Sequence, residues 1–244
     1  MPIIKITTAA LAAASLVCVS ADAASISLNF MENTGNQIFA GGENIGPFST
    51  NSSNWNNPED ASGTGSASNL INDSGVATTA DVSWSSANTW YNASGTDDDD
   101  HRMAVGYLDD GGAGVNVTFT DIPYAAYEVT LLFGSDQGPG PHYNTLDFTI
   151  NGGSLLGAAS GEAFRDINEA FAETGNNWVE LTANQVGNYA TTGATGATLT
   201  IQGGVRTGDD RGSLVGVIIT EVPEPGSLAL MGLGGLAVLR RRRG

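Results

Sequence analysis

Three features of the chain predict an all-β fold. Apolar and polar residues alternate with a period of two in run after run, clusters of Gly, Asn, Asp and Ser separate the runs, and helical periodicity is scarce. Two antiparallel sheets packed face to face, a β-sandwich or jelly roll with few short helices, is the architecture such a pattern favours. The body is expected over residues 24–221, between an apolar N-terminal segment, 1–23, and a short apolar C-terminal helix within 222–244.

Taken in order, Ile26, Leu28 and Phe30 alternate with Ser27 and Asn29. Asn33 to Leu70 is poor in apolar residues and rich in Asn, Ser and Gly, and reads as a long loop pinned by Ile38, Phe39, Phe48 and Trp55. Val76, Thr78, Ala80, Val82 and Trp84 form one face of a strand, followed by the faces Val115–Val117–Phe119, Tyr127–Val129–Leu131–Phe133 and Leu146–Phe148–Ile150. Leu199 and Ile201 precede Leu214 to Thr220, which is apolar on both faces and therefore reads as a central, doubly covered strand. Turn chemistry falls at Asp110-Gly-Gly, Asn151-Gly-Gly, Gln202-Gly-Gly and Thr207-Gly-Asp-Asp. His101 to Leu108 is a candidate short helix, and Ala163 to Glu173 a weaker one. No internal repeat at a fixed period is visible, which disfavours a solenoid or propeller.

The two ends carry addresses. Lys5, the apolar run Ile6 to Val19 and the small-x-small triplet Ala21-Asp22-Ala23 have the three parts of a secretory signal peptide. Cleavage is expected after Ala23, with Ala24 the alternative, through the Sec translocon and signal peptidase. Val17 stands where a lipoprotein signal needs a small residue, so Cys18 reads as part of the leader; without it the mature chain has no cysteine and no disulfide.

At the other end Val222-Pro223-Glu224-Pro225 precedes an apolar run and the cluster Arg240-Arg241-Arg242-Arg243. Gly226 to Leu239 is fourteen residues, roughly 21 Å as a helix at about 1.5 Å per residue. A bilayer core about 30 Å thick wants about 20 apolar residues, and Gly232, Gly234 and Gly235 weaken the helix further. The arginines should stay cytoplasmic, and Pro225 keeps Glu224 extended and open to a processing enzyme. This tripartite tail resembles the PEP-CTERM signal of Gram-negative bacteria, the substrate motif of exosortase-type membrane transpeptidases. The resemblance implies export, an inner-membrane-anchored intermediate, processing near Pro223–Pro225 by an exosortase, and a final place at the cell surface or outside the cell. A plain single-span anchor is the alternative for the same residues.

Removing both ends leaves Arg102, Arg165, Arg206 and Arg211 against twenty-four acids, a net charge near −20 with no lysine. Phosphate binding needs clustered Lys and Arg, so nucleic acid is excluded as a partner. An acidic extracellular protein that stays soluble by repulsion or binds divalent cations fits, as does a generally acidic, salt-adapted proteome.

Several short stretches resemble a secreted β-sandwich domain of planctomycetes and related bacteria, of galactose-binding-like type. They are Ser27-Leu-Asn-Phe30, Asn54-Trp-Asn-Asn57, Gly106-Tyr-Leu-Asp109, Tyr127 to Phe133, Phe148 to Gly153 and Arg211 to Ile218. This resemblance implies the fold and, as a tendency of that fold, binding of extracellular polysaccharide; function does not follow from fold alone. Trp55, Trp90, Tyr91, Tyr107 and Tyr143 are the aromatic rings on which sugars would stack, or alternatively caps on the ends of the core.

Asp97, Asp98, Asp99 and Asp100, with Asp109 and Asp110, are the densest acids, and calcium is the cofactor they would take. Neighbouring aspartates on a strand point to opposite faces, and the spacing fails the EF-hand pattern, so a solvated loop tip is the competing reading. No Gly-x-Ser-x-Gly elbow, zinc spacing, phosphate loop or dinucleotide fingerprint is present. The two histidines, His101 and His142, sit in loop-forming sequence, leaving a hydrolase only if its catalytic residues are dispersed. The expectation is an exported, surface- or matrix-associated protein that is not an enzyme, with a carbohydrate-binding module as the alternative.

Overall fold

The computed structural model describes residues 23–30, 45–47, 54–58, 63–91, 100, 103, 106–109, 114–134, 142–143, 148–155, 163–164, 178–182, 187–205 and 213–223. One compact unit spans Ala23–Pro223. Its strands are β1 (Ser25–Asn29), β2 (Trp55–Asn56), β3 (Thr64–Ala67), β4 (Asp81–Ser85), β5 (Asn88–Tyr91), β6 (Gly106–Asp109), β7 (Val115–Thr120) and β8 (Ala126–Phe133). They continue as β9 (His142–Tyr143), β10 (Thr149–Ile150), β11 (Gly153–Ser154), β12 (Ala163–Phe164), β13 (Tyr189–Thr195), β14 (Leu199–Gly203) and β15 (Leu214–Glu221).

A seven-stranded sheet runs β13-β8-β15-β1-β2, with β6 joining β15 at Leu214 and β5 pairing β6. A six-stranded sheet runs β11-β10-β14-β7-β4-β3, and β9 pairs β12 separately. The pairings are antiparallel except that of β1 with β2. The expected all-β sandwich is therefore what forms.

The sheets face each other across one apolar core. Ile26, Leu28 and Phe30 of the β1 end, Val129 and Leu131 of β8, and Val217 and Ile219 of β15 meet Val82 and Trp84 of β4, Val117 and Phe119 of β7, and Leu199 and Ile201 of β14. Phe30 meets Trp84 edge-on at 5.8 Å between ring centroids, and Phe133 meets Phe148 at 5.1 Å. Aromatic pairs at such separations add about 0.5–1.5 kcal/mol beyond burial. Strand β7 shows the alternation that betrays one covered face, and Val115, Val117, Phe119 and, from β8, Tyr127, Val129, Leu131 and Phe133 are all buried.

The seven-stranded sheet is covered on its other face too. Ile45, Trp55, Met103, Tyr107, Leu132, Val215 and Ile218 form a second cluster, with Trp178 and Tyr189 packed against it. Residues Leu214 to Ile219 are accordingly buried without a break, as a central, doubly covered strand should be. A bulge lies between Leu214 and Gly216, where the register shifts against β8. Beyond it Val217 and Ile219 return to the inner core while Val215 and Ile218 serve the outer one. The second cover was not legible in β1, whose Ser27 and Asn29 are as buried as its apolar residues.

Three expectations are corrected. Of the candidate helix His101–Leu108, Met103 is helical but Gly106 to Leu108 lie in strand β6, because Tyr107 belongs to the outer cluster and its neighbour Leu108 to the inner one. Consecutive residues on opposite faces require a strand. The candidate helix Ala163–Glu173 begins with β12; its other residues lie outside the described set. The strand expected from Val76 starts only at Asp81, since Asn72 accepts bonds from the Ser74 and Val76 N–H groups and folds a turn that leaves Val76 exposed. In the long loop Trp55 is pinned as expected, while Ile38, Phe39 and Phe48 lie outside the described residues.

Candidate functional site

The end of the sandwich from which the C-terminal segment leaves is assembled from four pieces of chain. The Glu221 N–H donates to the Ala24 carbonyl at 2.8 Å and the Val222 N–H to the Ala126 carbonyl at 3.0 Å. On the far side of β1, the Asp73 N–H donates to the Ser25 carbonyl at 2.8 Å. Ser25 lies opposite Thr220 in the antiparallel register. The start of the expected mature chain and the last strand before the tail are thus adjacent partners in one sheet. Ala23 is half-buried, whereas Val222 and Pro223 are exposed; Ala21 and residues 224–244, Glu224, Pro225 and the arginines among them, lie outside the described residues.

Beneath this end sits Tyr124, only 7 % exposed, with no partner for its hydroxyl among the described residues. Burial, then the carboxylates of Asp73 and Glu221, push its pKa up to about 12. One carboxylate oxygen of Asp73 is likewise buried without a described partner. Burial raises the Tyr127 hydroxyl as well, and that hydroxyl donates to the Gly196 carbonyl at 3.0 Å. Nothing in the sequence pattern singles out Asp73 or Tyr124; they meet only because the 72–77 turn and the segment before β8 converge on the same sheet end.

A second feature is an open cavity of about 710 Å³ lined by Ser68, Asn69, Thr79, Asp81, Asp121, Ile122 and Ala197. Asn69 and Asp121 both have left-handed backbones, φ 54° and 53°, which their short polar side chains tolerate better than most. The Asn69 N–H donates to Asp81 Oδ1 at 2.9 Å, and the Thr79 hydroxyl to the Asp121 carbonyl at 2.7 Å. The lining combines hydrogen-bond acceptors with apolar surface from Ile122 and Ala197 in nearly equal measure.

Of the five aromatic residues, three have described side chains. Trp55 is 3 % and Tyr107 1 % exposed, both inside the outer cluster, so neither offers a ring face to a ligand. Trp90, opposite Tyr107 across the β5–β6 pair, is 45 % exposed. Tyr91 lies in β5 and Tyr143 in β9, with side chains outside the described set.

Of the candidate calcium-binding acids, Asp100 and Asp109 are described. Asp100 is buried and its Oδ1 accepts the Gly46 N–H at 2.8 Å, which ties the long loop to the outer cluster. Asp109 is half-buried on β6 opposite Asn88; Asp97, Asp98, Asp99 and Asp110 lie outside the described residues. Among the described residues no three His, Cys, Asp or Glu side chains converge as a metal site would need. The side chains of both histidines, His101 and His142, are outside that set.

Comparison with known proteins gives one match. Residues 221–243 match the PEP-CTERM protein-sorting motif. The chain carries this motif, which implies export to the cell envelope or surface and an exosortase as processing partner. The matched segment begins at Glu221, the last residue of β15. No curated protein and no solved structure matches the chain. No helix among the described residues is long and apolar enough to cross a membrane.

Proposed function

We propose that residues 24–221 are the non-enzymatic cargo of this sorting signal, a cell-surface or extracellular-matrix-associated protein of a Gram-negative envelope. Export runs through the Sec translocon and signal peptidase, the tail holds an inner-membrane-anchored intermediate, and exosortase processing releases or attaches the domain. The observation that carries this reading is the continuity of β15 with the sorting motif. A sandwich joined to its address without a spacer is itself the delivered object. Two polar side chains, Asn56 and Asp100, are engaged in tying separate segments of the chain together. The hydrolase alternative would rest on catalytic residues dispersed along the chain.

A second reading, binding of extracellular polysaccharide, is favoured by exposed Trp90 and by the acceptor-lined cavity at Asp81 and Asp121. Sugars offer hydroxyl donors to carboxylates and apolar ring faces to tryptophan. The test is retention of residues 24–221 on the producing organism's own polysaccharide, with and without calcium, beside Trp90→Ala and Asp81→Asn. Retention lost in either variant supports binding; no retention by the parent leaves the structural role alone. Calcium-dependent retention would bring the acidic loops back as a metal site.

A further inference from the structure

The sorting motif and the fold overlap. Glu221 belongs to both β15 and the matched motif, and Val222, the second matched residue, is still hydrogen-bonded to Ala126. Four residues on, the apolar run begins at Gly226. A fully extended chain covers at most about 3.6 Å per residue, so while the apolar run is in the membrane the closed sheet end stands within roughly 14 Å of it. An enzyme that cuts near Pro223–Pro225 must grip an extended chain on both sides of the cut bond. On the N-terminal side that chain is β15.

We propose that the closed end of this sheet gates the sorting step, so that the Glu221–Ala24 and Val222–Ala126 hydrogen bonds must open before the motif is processed. The end of a strand frays far more readily than its middle, so these two bonds are the part of β15 that can yield while the body stays folded. Further in, Leu214 to Ile219 are buried on both faces and hold. The proposal rests on the sorting reading and adds to it a dependence on the folded state.

The register supplies a lock. Because Glu221 donates to Ala24, that pair is hydrogen-bonded, and Ser25–Thr220 beside it is the closely spaced non-bonded pair of the ladder, with Cα atoms about 4.5 Å apart. That lies within the usual disulfide range of about 4.4–6.8 Å. The experiment compares three full-length proteins in the producing cell: the parent, the double variant Ser25→Cys/Thr220→Cys, and an insertion of a flexible Gly/Ser segment between Val222 and Pro223. Processed and unprocessed forms are followed by mass after pulse labelling, and cross-link formation is verified by mobility with and without reductant.

The cross-linked form should accumulate unprocessed, reductant should restore the parental rate, and the insertion should raise the rate roughly tenfold, about the factor that two terminal hydrogen bonds are worth. Equal rates in all three proteins would overturn the gate. So would slower processing of the insertion, because the enzyme would then be reading the folded end. A parent that is never processed would sink the sorting reading instead, which keeps the two failures apart.

Discussion

Asn56 and Ile71 exchange two hydrogen bonds as if they were residues of paired strands. The Asn56 Nδ2 donates to the Ile71 carbonyl at 2.9 Å, and the Ile71 N–H donates back to Asn56 Oδ1 at 2.8 Å. The same Nδ2 also donates to the Ser27 carbonyl at 2.9 Å, so one amide joins β1, β2 and the segment before β4. Buried backbone groups need partners, and here a side chain supplies them where the strands are too short to do so. Asn56→Ala should therefore destabilise the domain by about 2–3 kcal/mol, since it strands groups that cost about 1–3 kcal/mol each when unmet. Asn56→Asp should cost at least as much, because the carboxylate cannot donate. Urea denaturation of residues 24–221 measures both, and a loss below about 0.5 kcal/mol for either would show that the clamp is dispensable.

Gly216 stands where the β15 bulge passes β1. A Cβ there would lie 2.6 Å from the Leu28 carbonyl oxygen and 2.5 Å from the Met103 Cε. The methionine can turn aside, but the carbonyl belongs to a paired strand. Gly216→Ala should cost about 1–3 kcal/mol, as overpacking usually does, and shift the denaturation midpoint without changing its slope. An unchanged midpoint would mean that the bulge absorbs the methyl group.

Tyr124 makes stability depend on alkaline pH. Its folded pKa, about 12, lies above the ordinary 10.0, so the folded state holds the proton more tightly than the unfolded one. Its contribution is whole below pH 10 and falls away as pH rises through 12. Burial moves Tyr127 and Tyr189 in the same direction. Tyr124→Phe should flatten the loss above pH 10 and leave neutral stability unchanged or higher by up to about 1 kcal/mol, since the hydroxyl is buried without a described partner. Denaturation at pH 8 and pH 11 decides it; a large loss at pH 8 would reveal a partner for the hydroxyl.

Replacing Arg240 to Arg243 by neutral residues should block correct processing, because nothing would then hold the C-terminal end on the cytoplasmic side. The intact mass of the protein and its location are the readouts. A variant matching the parent in both would remove the arginines from the signal.

How much was legible beforehand follows from where each signal resides. The face Val115–Val117–Phe119 was readable because one sheet face is core and period two exposes that. Tyr107-Leu108 was misread as the end of a helix: two large apolar neighbours alternate only if cores exist on both sides of the strand. Trp55 and Tyr107 passed for a sugar platform for the same reason, since loop-like sequence around an aromatic residue does not say what packs over it.

The sequence by itself determined the sandwich class, the acidic character and the sorting tail, because alternation, charge and a linear motif are properties of neighbouring residues. Only the tertiary structure decided that a second core covers the seven-stranded sheet, that Asp73, Tyr124 and Glu221 gather at one end, and that the last strand runs straight into the sorting motif beside Ala24. Each of these depends on contacts between residues far apart in the chain, which register and packing create and local pattern does not record.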